Sequence, residues 1–306
     1  MVFRTLILRT SGLRWVRRMV TRSRVFRPLV SRFVAGESVA EAMAVAESLV
    51  ADGLMVSLDL LGENVASAEE AANSLKHYLD LTQAIGASKQ SDRINISIKL
   101  TALGLDQGDE LAEQNFRTLL AAAAEHDMFV RADMEASDYT ERTIAMIERV
   151  FPDQPNTGTV LQSALKRTDD DLVRLIRLGC RIRIVKGAYL EPESVAFQDK
   201  HKVDSQYIKQ SKVAIQQANY PAIATHDATI IEELCRFVEE NSIDKSMFEW
   251  QMLYGIRRDL QQALRDQGFL VRVYVPFGRE WYPYFTRRLA ERPANVGFIL
   301  KSLFKG

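Results

Sequence analysis

Along most of the chain, apolar and polar residues alternate with a period of two, then give way to stretches with the period of a helix. The exchange repeats eight times. The clearest strand covers residues 94–100, where Ile94, Ile96 and Ile98 form one face and Asn95, Ser97 and Lys99 the other. Further strands are expected at residues 54–60, 128–134, 158–162, 181–186, 222–225 and 247–252. In the last one, Val271, Val273 and Val275 alternate with Arg272, Tyr274 and Pro276, and Pro276 with Gly278 should end it.

Helices are expected between these strands. Ser38 and Glu41 have the spacing of a capping box, opening a helix that Gly53 ends. Ser67 and Glu70 open another, with Gly86 expected to close it. Helices follow over residues 109–125 and 139–150, and one begins at Thr168, where Asp169, Asp170 and Asp171 complement its dipole. Three more end near Ala218, Glu240 and Gln267. The last, over residues 280–292, tolerates Pro283 only in its first turn. It carries Arg287 and Arg288, about 100° apart on a regular helix, so that two guanidiniums could straddle one carboxylate.

Eight successive strand–helix units over roughly 250 residues fit an α/β fold of the (βα)8 barrel type. A doubly wound sheet is the structural rival, but neither G-x-G-x-x-G nor G-x-x-x-x-G-K occurs. Barrel chemistry collects at the carboxyl ends of the strands. Those ends carry Asp59, Lys99, Asp133, Gln162, Arg183 with Lys186, His226 with Asp227, Gln251 and Tyr274. Polar residues aimed inward on nearly every strand point to an enzyme.

Composition adds little until charge is mapped. The 306 residues carry no net charge, yet residues 1–36 hold nine arginines and no acid, leaving the remainder nine acids in excess. Phe3, Leu6, Ile7, Trp15, Val16, Met19, Phe26 and Phe33 are interleaved with those arginines. Such an arm suits peripheral contact with an anionic membrane; a transit peptide or an arm docked on the acidic body are the alternatives. No run approaches the roughly 20 apolar residues of a bilayer span. The expected division is a basic arm over 1–36 and a barrel over 37–306. Cys180 and Cys235 offer no disulfide framework and suit a reducing compartment, and four scattered histidines give no metal-ligand spacing, so no metal is expected.

Lys99 on one strand and Asp133 on the next could pair, which keeps the lysine charged and makes it a poor nucleophile. With Arg287 and Arg288 it would supply three cations for an anionic ligand. Arg183 and Lys186 add more positive charge than one small anion needs, suggesting a second, larger ligand such as a nucleotide cofactor.

The stretches S-L-D-L-L-G-E (57–63), I-S-I-K-L-T-A-L-G (96–104), R-A-D-M-E (131–135), V-L-Q (160–162), R-I-V-K-G-A-Y (183–189), A-T-H-D (224–227), Q-M-L-Y-G-I-R (251–257) and Y-V-P-F-G-R-E-W-Y-P-Y-F-T-R-R-L-A-E-R (274–292) closely resemble proline dehydrogenase. They look like its monofunctional bacterial branch, and the likeness covers about residues 40–295. The resemblance implies a distorted (βα)8 barrel with N-terminal helices and its last helix across the mouth. It implies FAD at the strand ends, oxidation of L-proline to Δ1-pyrroline-5-carboxylate, and electrons passed to a membrane quinone. Carried over by motif, Lys99, Arg287 and Arg288 hold the substrate carboxylate, and Tyr189, Leu253 and Tyr274 pack its ring. Asp133 braces Lys99, and Glu63 pairs with Arg287 as a gate. Arg183 approaches the flavin N5 and Gln162 its pyrimidine edge, with Asp133, Val185, Lys186, Thr225, His226 and Glu291 completing the cradle. A cytoplasmic protein, peripheral on the inner face of the cell membrane (the matrix side in a mitochondrion), is the expected setting. Ser163 and Ala164 depart from the bulkier pair expected after Gln162.

The rival readings are specific. Hydroxyproline dehydrogenase calls for a smaller residue at Tyr274. A Schiff-base lyase on Lys99 or Lys186 needs no flavin. A membrane scaffold leaves the polar strand ends without a reason, and nucleic-acid binding is disfavoured by the net acidic body.

Overall fold

The computed structural model describes residues 30–291, with side chains as far as Thr286. Helix α1 (Val39–Ala51) leads into β1 (Met55–Leu60) and α2 (Ala68–Ser88). Then come β2 (Ile94–Ile98), α3 (Asp109–Ala124), β3 (Val130–Ala132), α4 (Ser137–Val150), β4 (Thr157–Gln162) and α5 (Thr168–Leu178). β5 (Arg181–Val185), α6 (Lys200–Gln217), β6 (Ala222–Ala224) and α7 (Ala228–Glu240) follow. β7 (Glu249–Leu253), α8 (Arg258–Asp266), β8 (Leu270–Phe277) and α9 (Trp281–Glu291) complete the order. The eight strands are parallel and pair in sequence, with β8 returning to β1 to close the barrel. The (βα)8 expectation therefore holds. Among the described residues no helix is long and apolar enough to cross a membrane.

Local chemistry explains most boundaries. Ser38 accepts the Glu41 N–H while the Glu41 carboxylate takes the Ser38 N–H, a reciprocal capping box that starts α1. Helix α2 runs past Gly86 to Ser88 and ends on Lys89 in the left-handed region (φ 56°). Gly86 is needed for a close approach instead, since a Cβ there would lie 2.5 Å from Cγ of the His126 ring. Strand β8 also outruns its expected end, because Pro276 and Phe277 pair with Asp59 and Leu60 of β1. The Tyr274 carbonyl faces β7, where it accepts the Tyr254 N–H, so Pro276, two residues on, turns its missing N–H to the same side. There β7 has already ended, and the Pro276 carbonyl accepts the Ala35 N–H at 2.9 Å.

Residues 30–36 sit on the barrel too, although charge groups them with the arm. Phe33, Val34 and Ala35 are buried, because they cover apolar surface that α9 and the strand ends would otherwise expose. The arm expected at 1–36 thus overlaps the barrel from Val30 onward, and its residues 1–29 lie outside the described residues.

Strand alternation sorts the barrel into two cores. Val56, Leu58, Ile94, Ile96, Ile98, Ile182, Ile184, Trp250 and Val273 are buried in one continuous apolar cluster with the surrounding helices. The opposite set carries Asp59, Arg131, Arg183, Glu249, Gln251 and Arg272, all buried as well. Arg272 donates through Nε to Glu249 at 2.8 Å, through Nη1 to the carbonyls of Val56 and Arg93 at 2.8 and 3.0 Å, and through Nη2 to Met55 Sδ at 3.3 Å, so each donor group has a partner. Burial alone would raise the Glu249 carboxyl, but Arg272, the Gln251 amide and Arg131 outweigh it and hold the group below the usual carboxylate range.

Breaking that pair leaves an uncompensated buried charge. Glu249→Gln or Arg272→Met alone should each cost about 3–5 kcal/mol, and the double variant clearly less than their sum, in urea unfolding. Because its folded pKa is lowered, Glu249 adds stability above its unfolded value, and this is lost as pH falls through the folded one. Unfolding of Glu249→Gln should therefore depend less on acid than that of the parent.

Candidate active site

The carboxyl ends of the strands bring together charges that sequence can only place separately. Asp59 ends the inward face of β1, and Lys99 lies one residue past β2, which it neighbours. Lys99 Nζ meets Asp59 Oδ1 at 3.1 Å, with both side chains nearly excluded from solvent. Burial would lower the lysine, but Asp59, Asp133, Tyr78 and Glu63 together push it well above its usual range. Asp59 in turn is raised by burial, against the pull of Lys99. The ion pair with Asp59 and this upward shift both favour the charged lysine, which makes it a poor Schiff-base nucleophile.

Asp133 does not brace Lys99 directly. Its Oδ1 accepts from Arg183 Nη1 at 2.7 Å and its Oδ2 accepts the Tyr274 hydroxyl at 2.6 Å. With both oxygens engaged, the direct partner of Lys99 is Asp59, and Asp133 acts on the lysine only through its field. Arg183 reaches across the barrel from β5, donating to Ser97 Oγ at 3.0 Å and to Gln251 Oε1, with its carbon centre 5.1 Å from the Tyr274 ring centroid. Tyr274 is raised far above its normal pKa by burial, then by Asp133 and Asp59, so its hydroxyl remains a donor.

A second group lies at the ends of β5, β6 and β7. Lys186, half-buried, pairs with Asp204 at 2.5 Å and Asp227 at 3.1 Å. Thr225 Oγ1 accepts the Asp227 N–H. His226 Nε2 accepts the Leu253 N–H at 2.8 Å, so the neutral imidazole carries its proton on Nδ1. Gln162 at the end of β4 donates to the Glu135 carbonyl at 2.9 Å, and Val185 lies beside Gln162 in the β4–β5 register.

Other expected site residues sit further out. Glu63, half-buried, is on the β1–α2 loop; Tyr189, 37 % exposed, is on the β5–α6 segment. Arg287, Arg288 and Glu291 belong to α9, but their side chains lie outside the described residues, so the expected Glu63–Arg287 gate does too.

Glu135 and Ser97 were missed from sequence. Glu135 is buried and its carboxylate accepts the Thr101 N–H at 3.2 Å and hydroxyl at 2.6 Å, while its carbonyl holds Gln162. It follows Asp133 by two residues, and that position was the one available signal.

Comparison with known proteins agrees with this arrangement. A family model described as proline dehydrogenase matches residues 42–301. Proline dehydrogenase 1 of Bacillus subtilis subsp. natto is 40 % identical over 274 residues, covering 90 % of each chain. Proline dehydrogenase of Deinococcus radiodurans is 40 % identical over 281 residues, covering 91 % of each. In fold, the chain is similar to the crystal structure of proline utilization A from Bdellovibrio bacteriovorus inactivated by N-propargylglycine. The TM-score is 0.81 at 23 % identity, over 87 % of this chain but 33 % of that one, so it spans about a third of the larger protein. By its family match, its extent of identity and its closed eight-stranded barrel, this chain belongs to the proline dehydrogenase family, oxidoreductases that act on proline.

Proposed function

We propose that the chain oxidises L-proline to Δ1-pyrroline-5-carboxylate with FAD as cofactor and passes the electrons to a membrane quinone. The observation that carries the reading is the buried Lys99–Asp59 and Arg183–Asp133–Tyr274 arrangement, next to the donors of β4 to β6. An isoalloxazine edge needs fixed donors from several directions, and Arg183, Gln162, Lys186, Thr225 and neutral His226 occupy adjoining strand ends. Ser163 Oγ, beside Gln162, is buried with no partner among the described residues, as expected where a bound group completes the hydrogen bonding. The residues present therefore fit a flavin. When bound, the flavin supplies the two-electron acceptor for the hydrogen leaving the ring carbon.

The protein's share is binding, orientation and exclusion of water. Lys99, kept charged by Asp59, takes the proline carboxylate with Arg287 and Arg288. Tyr274, Tyr189 and Leu253 wall the ring. The Tyr274 hydroxyl is spent on Asp133, which fixes the phenol plane and turns the ring rather than the hydroxyl to the substrate. Asp59 and Asp133 are each committed to a cation, so neither is poised as a base. The amine accordingly enters neutral, its ammonium proton already lost to solvent, and oxidation to the imine then removes a hydride from the ring carbon and a proton from nitrogen, the proton passing to solvent. Glu63 with Arg287 would gate entry, and Val185 and Glu291 would complete the cofactor cradle. Peripheral membrane contact is assigned to residues 1–29, where each base near an anionic surface contributes about 1 kcal/mol.

Three outcomes test this. Purified protein should be yellow and bleach on adding L-proline; colourless protein that FAD cannot reconstitute would overturn the cofactor assignment. Tyr274→Ser opens space beside the ring, so turnover of 4-hydroxyproline relative to proline should rise while proline turnover falls; a flat ratio places the tyrosine elsewhere. A chain beginning at Val30, which retains Phe33, should keep its flavin and its activity with a soluble dye but lose salt-sensitive co-sedimentation with anionic liposomes. Undiminished liposome binding would assign the contact to the barrel.

A further inference from the structure

Apart from the main core, the structure has a second apolar cluster that the strand–helix pattern does not account for. Phe33 and Val34 from the N-terminal segment, Leu61 beyond β1, Ile256 beyond β7, and Trp281 and Phe285 of α9 are all buried in it. Leu61 and Ile256 both stand past carboxyl ends of strands, so the cluster places α9 over the rim of the mouth. Phe33 and Phe285 ring centroids are 6.4 Å apart, and those of Trp281 and Phe285 5.8 Å at 82°.

The segment that brings Phe33 there is tied at each step. The Phe33 and Val34 N–H groups both donate to the Val30 carbonyl at 2.9 Å, making one tight turn. Ala35 then donates to the Pro276 carbonyl, and Gly36 accepts the Gly278 N–H, each at 2.9 Å, so the segment runs alongside the end of β8. Gly36 has φ 97°, and a Cβ there would lie 2.6 Å from Cβ of Glu41, so only glycine turns the chain from β8 into the α1 cap. Glu37 finally accepts the Trp281 indole N–H at 3.1 Å. Its own N–H is held by Glu41 at 2.9 Å, so the acceptor is anchored to the capping box of α1.

These contacts all grip the first half of α9 and its approach. The second half carries Arg287 and Arg288, less than two turns further on.

We propose that residues 30–37 are a strap that sets the tilt of α9, and that Phe33 and Trp281 are positioning residues for the substrate carboxylate. The inference rests on the reading that Arg287 and Arg288 hold that carboxylate. A change in tilt moves the guanidiniums relative to Lys99, which is fixed in the barrel wall by Asp59. The strap therefore acts first on carboxylate binding, because of the proposed cofactor cradle only Glu291 lies on α9 and the other residues come from the barrel strand ends.

The experiment uses the full-length holoenzyme with Phe33→Leu and Trp281→Phe. The first shortens one side chain of the cluster, and the second removes the indole donor to Glu37 together with part of the ring packed on Phe285. Activity with a soluble dye gives kcat and KM, the visible spectrum gives flavin content, and inhibition by cyclopentanecarboxylate reads carboxylate binding without the amine. Both variants should raise the proline KM and the cyclopentanecarboxylate Ki together, by about tenfold, with kcat and flavin content retained. Arg288→Met is the control and should raise the same two constants further. If Arg288→Met raises them but neither strap variant does, or if the strap variants lower kcat and flavin content in step, the strap is structural only and the inference fails. If Arg288→Met itself leaves both constants unchanged, it is the carboxylate assignment that falls.

Discussion

Much of this barrel depends on one constraint: a guanidinium buried in its interior must have every side satisfied. Arg183 meets it by spanning the barrel, with Asp133, Ser97 and Gln251 as its acceptors. Gln251 can present its carbonyl oxygen to Arg183 because its amide nitrogen donates to Glu249 below, and Glu249 is neutralised by Arg272. A continuous polar column therefore runs from the closed end of the barrel to the mouth. An unpaired charge in such surroundings would cost several kcal/mol, so the column admits few alternative side-chain arrangements. That rigidity is what an orienting site requires.

The column also separates two chemically different halves of the mouth. On the β1–β2 side, Lys99 is held by Asp59 and shifted away from neutrality, which suits it to an anionic ligand and not to covalent catalysis. On the β4–β6 side the groups are mostly neutral donors or cations already balanced by acids, as with Lys186 between Asp204 and Asp227. Asp133 and Tyr274 stand between the two, joined by a hydrogen bond. A reaction that needs a small acid held against a large planar cofactor fits this division. The family supplies the reaction, and the geometry accounts for the residue types found at these strand ends.

The strap shows how a segment outside the repeating units can matter to the site. Without Phe33 and its neighbours, Trp281 and Phe285 would expose apolar surface at the rim, and α9 would lack the anchors that give it a direction. Its cost is small in residues because the α1 capping box, needed in any case to start that helix, also fixes Glu37.

From sequence alone, the eight-fold exchange of periods, the inward polar residues at strand ends and the motifs around Lys99, Arg183 and Tyr274 determined the barrel, the family and the residues to watch. These are properties of single segments, since period two and period 3.6 are written in adjacent residues. Which charge meets which was decided only by the tertiary structure. Lys99 has a candidate acid on each neighbouring strand, and nothing in spacing says that Asp133 is already taken by Arg183 and Tyr274, leaving Asp59. Gly86 reads as a helix stop until the ring of His126, some forty residues away in sequence, proves to need its room. Charge likewise groups Phe33 with the arginines around it, although the apolar surface it covers belongs to α9, at the far end of the chain. Each of these depends on a contact between distant segments, and such contacts exist only once the barrel has closed.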